Sequence, residues 1–383
     1  MELGSYIPNT AFEQGIANFS FELYGAVEKR RNEFISSYSI SAALLLLMLG
    51  TNGSTEDQIK KSIFKGETPT NVYYEYKRLH DRLTDKTNTG VVLDMANRLY
   101  GSKHFTLLDY FKSNARKYFA SDMERLDFVT QTEQSRIRIN NWVAAQTRNK
   151  IRNMIPPNTL DVNTIIVLVN GIYFKGIWKK QFDRKETRKQ TFFDDLNIER
   201  QVDMMHGIYN ATAGQSMELD CKGLRLEYSG NEMSMVFLLP NDVNGLQTLE
   251  KKLTLRKFQK LLSVLIKQKT TIEIPKFTFQ TEYDLTPIFA RLGITEIFDD
   301  SIADFTHLVP KENSKGVYVS DARHKTYVEV NEEGSEAAVT TTIVTTTKSM
   351  PIHFQFIADH PFMFVILDNE TGIPLFIGRY LGP

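Results

Sequence analysis

Seven histidines, one cysteine and 46 carboxylates are the groups from which this chain could build acid–base, nucleophilic or metal chemistry. Their spacing shows none of the local patterns that such chemistry uses. There is no G-x-S-x-G elbow to present a nucleophile, no G-x-x-x-x-G-K-[ST] loop to cradle a phosphate, and no H-E-x-x-H or C-x-x-C to hold a metal. The closest histidines in sequence, His353 and His360, lack ligand-type spacing. Cys221, being alone, excludes an internal disulfide and a cysteine-based zinc site, and it reads as a packed thiol. No catalytic carboxylate pair is marked locally. The expectation is a protein that is not an enzyme and needs no metal or cofactor.

What departs from the ordinary is the stretch "EEGSEAAVTTTIVTTTKSM", residues 332–350. Between Ser335 and Thr347, nine of thirteen residues are β-branched, Glu336 is the only charge, and proline and glycine are missing. Natural sequences ordinarily interrupt so aggregation-prone a strand. Alternate side chains of a strand share a face. Ser335, Ala337, Val339, Thr341, Ile343 and Thr345 form one uncharged set. Glu336, Ala338, Thr340, Thr342, Val344 and Thr346 form the other, which carries the lone charge. The segment can be buried on its first face without desolvating a charge. A slip of one residue would bury Glu336, at a cost on the order of several kcal/mol. Lys348 then reads either as a solvated residue that ends the run or as a cation offered to a partner.

The rest of the chain must position this segment. Its 383 residues, 42% apolar and 24% charged, can form a sizeable core. Lys+Arg equals Asp+Glu, so no net field points to nucleic acid or to an anionic membrane. The longest apolar run, "ISAALLLLMLG", is far short of a membrane span. The first half reads as helices: "NFSFELYGAVEKRR", a buried "SYSISAALLLLMLG", "STEDQIKKSI" opened by a capping box from Thr55 to Gln58, and a long "QSRIRINNWVAAQTRNKIRNMI". Strands follow in "NTIIVLVNGIYF", "MSMVFLLP", "TTIEIPKFTF", "GVYVSDARHKTYVEV", "PFMFVILD" and "PLFIGRYLG". This order predicts an α+β fold, a large sheet with helices on its faces. "KKLTLRKFQKLLSVLIKQK", 251–269, reads as one amphipathic helix with a solvated basic face; a heparin-type glycosaminoglycan or nucleic-acid site is its sharper reading, and no aromatic interleaving supports base contact. The N-x-[ST] sequons at Asn18, Asn52, Asn210 and Asn369 are near chance for this composition.

Ten blocks taken in order resemble the serpin family, from about Phe12 to Pro383. Among them are "NFSFELY", "SYSISAALLLLMLGTNGSTEDQI", "ANRLYG", "LVNGIYFKGIWKKQF", "IPKFTFQTEYDL", "ARHKTYVEVNEEGSEAA" and "ADHPFMFVILDNETGIPLFIGR". One departure is that Ser36 is followed by Ser37, where the family usually has proline. The resemblance implies a single domain with a large mixed central sheet, smaller sheets and about eight to nine helices. It also implies an exposed reactive-centre loop over 334–350 that a serine protease cleaves and that then inserts into the main sheet as a strand.

In that scheme Glu332, Glu333, Gly334, Ser335, Glu336, Ala337, Ala338, Val339 and Thr340 form the hinge. It contains no proline and nothing bulky to delay insertion. The family register, sixteen positions on from Glu332, puts the scissile bond at Lys348–Ser349, with Thr347 and Met350 as less favoured positions. A lysine there suits a trypsin-like pocket with an acidic base. By similarity Ser36, Ser39, Asn170 and His324 match the polar cluster where the sheet opens. Trp178, Lys276 and Glu332 match the top of the opening.

The implied partner is a target serine protease held as a covalent complex, by a protein that is otherwise monomeric and able to form loop–sheet polymers. The alternative is a non-inhibitory binding, carrier or chaperone protein whose loop is cut without trapping. The family leans towards an extracellular location. The N-terminus lacks the basic and apolar regions of a signal peptide, which keeps a cytoplasmic one open.

Overall fold

Two runs with few polar residues become the most deeply buried elements. "SYSISAALLLLM" forms a helix in which every residue is buried, and "IVLVNGIYFKG" forms a strand whose first nine residues are buried. The computed structural model describes residues 8–65, 69–85, 90–333 and 353–383. Within them lie nine α-helices: α1 (Ala11–Ala26), α2 (Ser37–Met48), α3 (Gly53–Phe64), α4 (Val72–Leu83), α5 (Asp109–Phe119), α6 (Thr132–Gln146), α7 (Leu246–Lys252), α8 (Leu255–Val264) and α9 (Leu285–Arg291). The first strands are β1 (Glu33–Ile35), β2 (Val91–Ser102), β3 (Glu124–Leu126), β4 (Ile166–Gly176), β5 (Arg188–Phe193), β6 (Glu199–Ser216) and β7 (Cys221–Glu227). The remaining ones are β8 (Met233–Pro240), β9 (Ile266–Pro275), β10 (Phe277–Asp284), β11 (Val319–Val330), β12 (Phe354–Ile357), β13 (Phe362–Asp368) and β14 (Pro374–Tyr380).

The strands form a mixed five-stranded sheet, in the order β10-β11-β4-β2-β3, and a connected set of nine. The nine are joined through β6, which changes partner along its length. Residues 199–204 pair with β5, 204–213 with β9 and 212–216 with β7, so one long strand links two smaller sheets. The five-stranded sheet is covered on both faces, as the apolar run of β4 requires. Ile166, Leu168, Ile172 and Phe174 join the main core with α2, whereas Val167 and Val169 join a second core formed with Ile139 and Val143 of α6 and with Ile151, Met154 and Ile155. A Cβ on Gly171 would sit 3.0 Å from Met154 and 3.3 Å from Val143, so this glycine allows close approach of that second layer.

Three sequence expectations are corrected. The helix predicted from "STEDQIKKSI" starts at Gly53, so Thr55 and Gln58 lie inside it and form no capping box. They bind the 3-10 turn at 296 instead: Thr55 and Gln58 donate to the Glu296 carboxylate at 2.9 and 3.0 Å, and Gln58 accepts from Thr295 N–H at 2.8 Å. The long helix predicted to run up to Pro156 stops at Gln146. Arg148, Asn149 and Asn153 have positive φ, and the chain turns to bury Ile151, Met154 and Ile155. Residues 251–269 are not one helix. Lys251 and Lys252 end α7, Thr254 caps α8 by accepting from Lys257 N–H, and Lys267 and Lys269 belong to β9. The amphipathic reading holds for α8, which buries Leu255, Phe258, Leu261 and Leu262.

Candidate functional site

At the centre of the five-stranded sheet, β11 and β4 run parallel and pair directly, while their outer partners β10 and β2 are antiparallel to them. The register is unbroken from Asp321↔Val167 to Val328↔Phe174. Parallel pairing is slightly the weaker kind per residue. A strand running antiparallel to both could pair with each if the two separated. The junction therefore combines a seam with a potential slot.

The middle of the seam is polar. His324 and Asn170 are partners in register, and Ser36 and Ser39 at the start of α2 lie beneath them. All four are fully buried. Ser36 N–H donates to His324 Nε2 at 3.2 Å, which leaves the ring proton on Nδ1, directed at the Asn170 side-chain oxygen. Asn170 Nδ2 donates to Ser39 O and to Asn97 Oδ1, both at 2.6 Å. Ser36 Oγ accepts from Ser39 N–H at 3.1 Å and donates to Leu375 O at 3.0 Å, so the cluster also clamps β14. Burial pushes the His324 pKa down to about 3, and the imidazole is neutral at neutral pH. It acts as a hydrogen-bonding spacer across the seam, with Tyr283 stacked on it at 5.9 Å between centroids.

A second cluster closes the top of β11. Glu332, only 5% exposed, accepts from Lys276 Nζ at 2.9 Å and from Thr187 Oγ1 at 2.7 Å. Burial opposes its ionisation, yet these two hydrogen bonds hold its carboxyl below the usual value. Trp178 donates from Nε1 to Asn331 O at 2.9 Å and stacks on Tyr228 at 4.6 Å. Arg184 pairs with Glu333. The strap 178–187 thus holds 331–333, beside a cavity of about 760 Å³.

The structure brings together every junction and gate residue expected from the sequence: Ser36, Ser39, Asn170 and His324 in one cluster, and Trp178, Lys276 and Glu332 around another. Gly334, Ser335, Glu336, Ala337, Ala338, Val339, Thr340, Thr347, Lys348, Ser349 and Met350 lie outside the described residues. Among the described residues no His/Cys/Asp/Glu group could hold a metal ion, and no helix is long and apolar enough to cross a membrane. Cys221 is fully buried, and burial pushes its thiol up to about 12.

The family model "Serpin (serine protease inhibitor)" matches residues 14–383. The chain belongs to the serpin family. It is 37% identical to human serpin B8 over 366 residues, covering 95% of this chain and 96% of that one. It is 35% identical to human leukocyte elastase inhibitor over 374 residues, covering 95% and 97%. Uncleaved ovalbumin superposes with a TM-score of 0.89 at 27% identity, over 98% of this chain and 100% of the other. This serpin is thus related to protease inhibitors and not to an enzyme family.

One feature of this serpin was not singled out from its sequence, and one departure noted there gains a structural role. Asn97 of β2 belongs to the junction cluster, donating to Ser39 O at 3.3 Å while accepting from Asn170. An asparagine inside "ANRLYG", in line with the Asn170 strand, was the available signal. Ser37, in place of the usual proline, occupies the first turn of α2, and its hydroxyl donates to Pro374 O at 2.9 Å. The departure adds a tether to β14 and leaves the Ser36 cap in place.

Proposed function

We propose that this serpin acts as a single domain that inhibits a trypsin-like serine endopeptidase as a suicide substrate. The protease cleaves Lys348–Ser349, its serine remains esterified to the Lys348 carbonyl, and residues 335–347 enter between β4 and β11 before water releases the enzyme. The observation that carries this reading is the parallel, directly paired β4–β11 junction. An added strand antiparallel to both neighbours would find an antiparallel partner on each side there. The sheet's other parallel seam, β2–β3, is paired over only Tyr100–Ser102, and β11 ends at Val330, four residues before Gly334 in the sequence.

The lengths agree: β4 has 11 residues and β11 has 12, against thirteen in 335–347. Entry must outrun hydrolysis, which at ordinary enzyme turnover means milliseconds to about a second. The hinge "GSEAAV", small but for Glu336, whose charge falls on the face that need not be buried, suits that speed. A neighbour's segment could use the same slot, which would let an otherwise monomeric protein form loop–sheet polymers.

The test is to mix the protein with trypsin. An SDS-resistant adduct together with a released C-terminal peptide beginning at Ser349 is expected. A peptide beginning at Lys348 or Pro351 would move the bond to Thr347 or Met350. Cleavage without any adduct would overturn the inhibitory reading in favour of a binding, carrier or chaperone role.

A further inference from the structure

The basic run at 251–269 is divided among three elements, but one of its lysines meets cations from elsewhere. A cavity of about 540 Å³ opens between the strap after β4 and the strands β6, β7 and β9. Its charged lining is Lys179, Lys180, Arg225 and Lys267 against a single carboxylate, Glu227. Lys179 is paired with Glu227, Arg225 is held by partners of its own, and Asp183 and Glu186 act on the Tyr209 hydroxyl nearby, so the cations left for a ligand are chiefly Lys180 and Lys267.

The arrangement follows from strand register. Thr212 of β6 is the partner of both Lys267 on β9 and Arg225 on β7, so both basic side chains leave the same face of the sheet. Lys269, opposite Asn210, continues that face two residues along β9. Glu227 takes Lys179 at 2.7 Å. Lys180 stands 5.5 Å above the Tyr209 ring, and neither it nor Lys267 has an ion-pair partner among the described residues. Arg225, 6% exposed, is held by Nε donating to Ser234 Oγ at 3.0 Å and still lines the cavity.

We propose that this cavity binds a small polyanion, a ligand carrying two or more sulfate or phosphate groups on a ring-sized scaffold. Its volume lies within the ~300–1,000 Å³ of ordinary ligand sites. Ammonium groups act as point charges for such oxygens, and charge-assisted bonds are the strong ones. Tyr209 supplies an apolar wall for the scaffold. The site shares an element with the gate, because Lys179 and Lys180 directly follow Trp178 and the same strap carries Arg184 and Thr187. A ligand bridging Lys180 to Lys267 ties that strap to β9.

Calorimetric titration at low ionic strength, with inositol hexakisphosphate in one arm and a sulfated heparin disaccharide in the other, tests the site without reference to protease inhibition. One saturable site per chain is expected in at least one arm, and the arm that binds identifies the ester. Lys180→Glu combined with Lys267→Glu, both exposed positions, should weaken binding about tenfold or more without lowering the melting temperature. Arg256→Glu with Lys257→Glu on α8 should leave binding within about twofold. Absence of saturable binding in both arms would overturn the proposal. So would equal loss on reversing the α8 charges, which would mean diffuse attraction to a basic surface.

Discussion

The two sheet systems of this serpin differ most at their centres. In the nine-stranded system, β13 lies between β8 and β14, all three are buried along their whole length, and the pairing is antiparallel on both sides. Aromatic side chains fill the space against it: Phe34 stacks on Phe376 at 4.7 Å, and Phe277 lies 5.3 Å from Phe364. In the five-stranded sheet, the central seam is parallel and is bridged by Ser36, Ser39, Asn97, Asn170 and His324. Dispersion and apolar burial hold the first centre and have no preferred alternative. Directional hydrogen bonds hold the second, and under the proposed insertion each would be exchanged for a bond to the incoming strand. On the proposed mechanism one sheet system is a permanent frame and the other a closure.

The largest expected effect breaks the frame. Phe364→Ala should cost about 3–5 kcal/mol in urea unfolding, as large-to-small changes in a packed core do. Oligomers on mild heating should rise no more than its lower melting point explains. His324→Ala strikes the closure and should cost less, about 1–3 kcal/mol, by leaving the Ser36 N–H and the Asn170 side chain without their partner. Its signature is polymers on mild heating out of proportion to the lost stability. Unchanged melting with no oligomers would remove His324 from the closing role.

Acidity should sharpen the same contrast. The folded protein keeps His324 neutral down to about pH 3, whereas an unfolded histidine takes up its proton near pH 6.5. Its contribution is therefore full above that value and is lost progressively as pH falls towards 3. Glu332, held below its ordinary value, adds a loss of the same sign, starting near pH 4.3. Asp321 lower on β11 acts oppositely, because burial pushes it up to about 6. The slope of melting temperature between pH 7 and pH 5 should thus be shallower in His324→Asn than in the wild type. Equal slopes would contradict the assignment.

The smallest effect belongs to the gate. Lys276 is 37% exposed, so Lys276→Met should change unfolding stability by less than about 1 kcal/mol. It should still raise the polymerisation rate, because Glu332 then keeps Thr187 as its one side-chain partner among the described residues. A stability loss as large as that of His324→Ala would mean that the gate is part of the frame.

How much of this was legible before the structure follows the same division. Continuous apolar runs announced α2, β4, β8 and β13, because strands and helices covered on every side need no alternation. The polar cluster was reached through resemblance and not from pattern, since serines and an asparagine far apart in sequence meet only in space. β6 went unread. "ERQVDMMHGIYNATAGQS" is half exposed, and its partners change along its length, so no single period marks it. The division of 251–269 was hidden because leucines of α8 and lysines of β9 together mimic one amphipathic helix.

The central claim is that the β4–β11 seam is a slot awaiting the segment after β11, and thermal unfolding of the nicked protein tests it most directly. The chain is cut once within 334–352 by a protease that it does not trap, and the product is melted beside the intact protein. Insertion replaces one parallel pairing with two antiparallel ones, so the nicked form should melt at a markedly higher temperature. An unchanged or lower melting temperature would show that the cut segment does not enter the sheet.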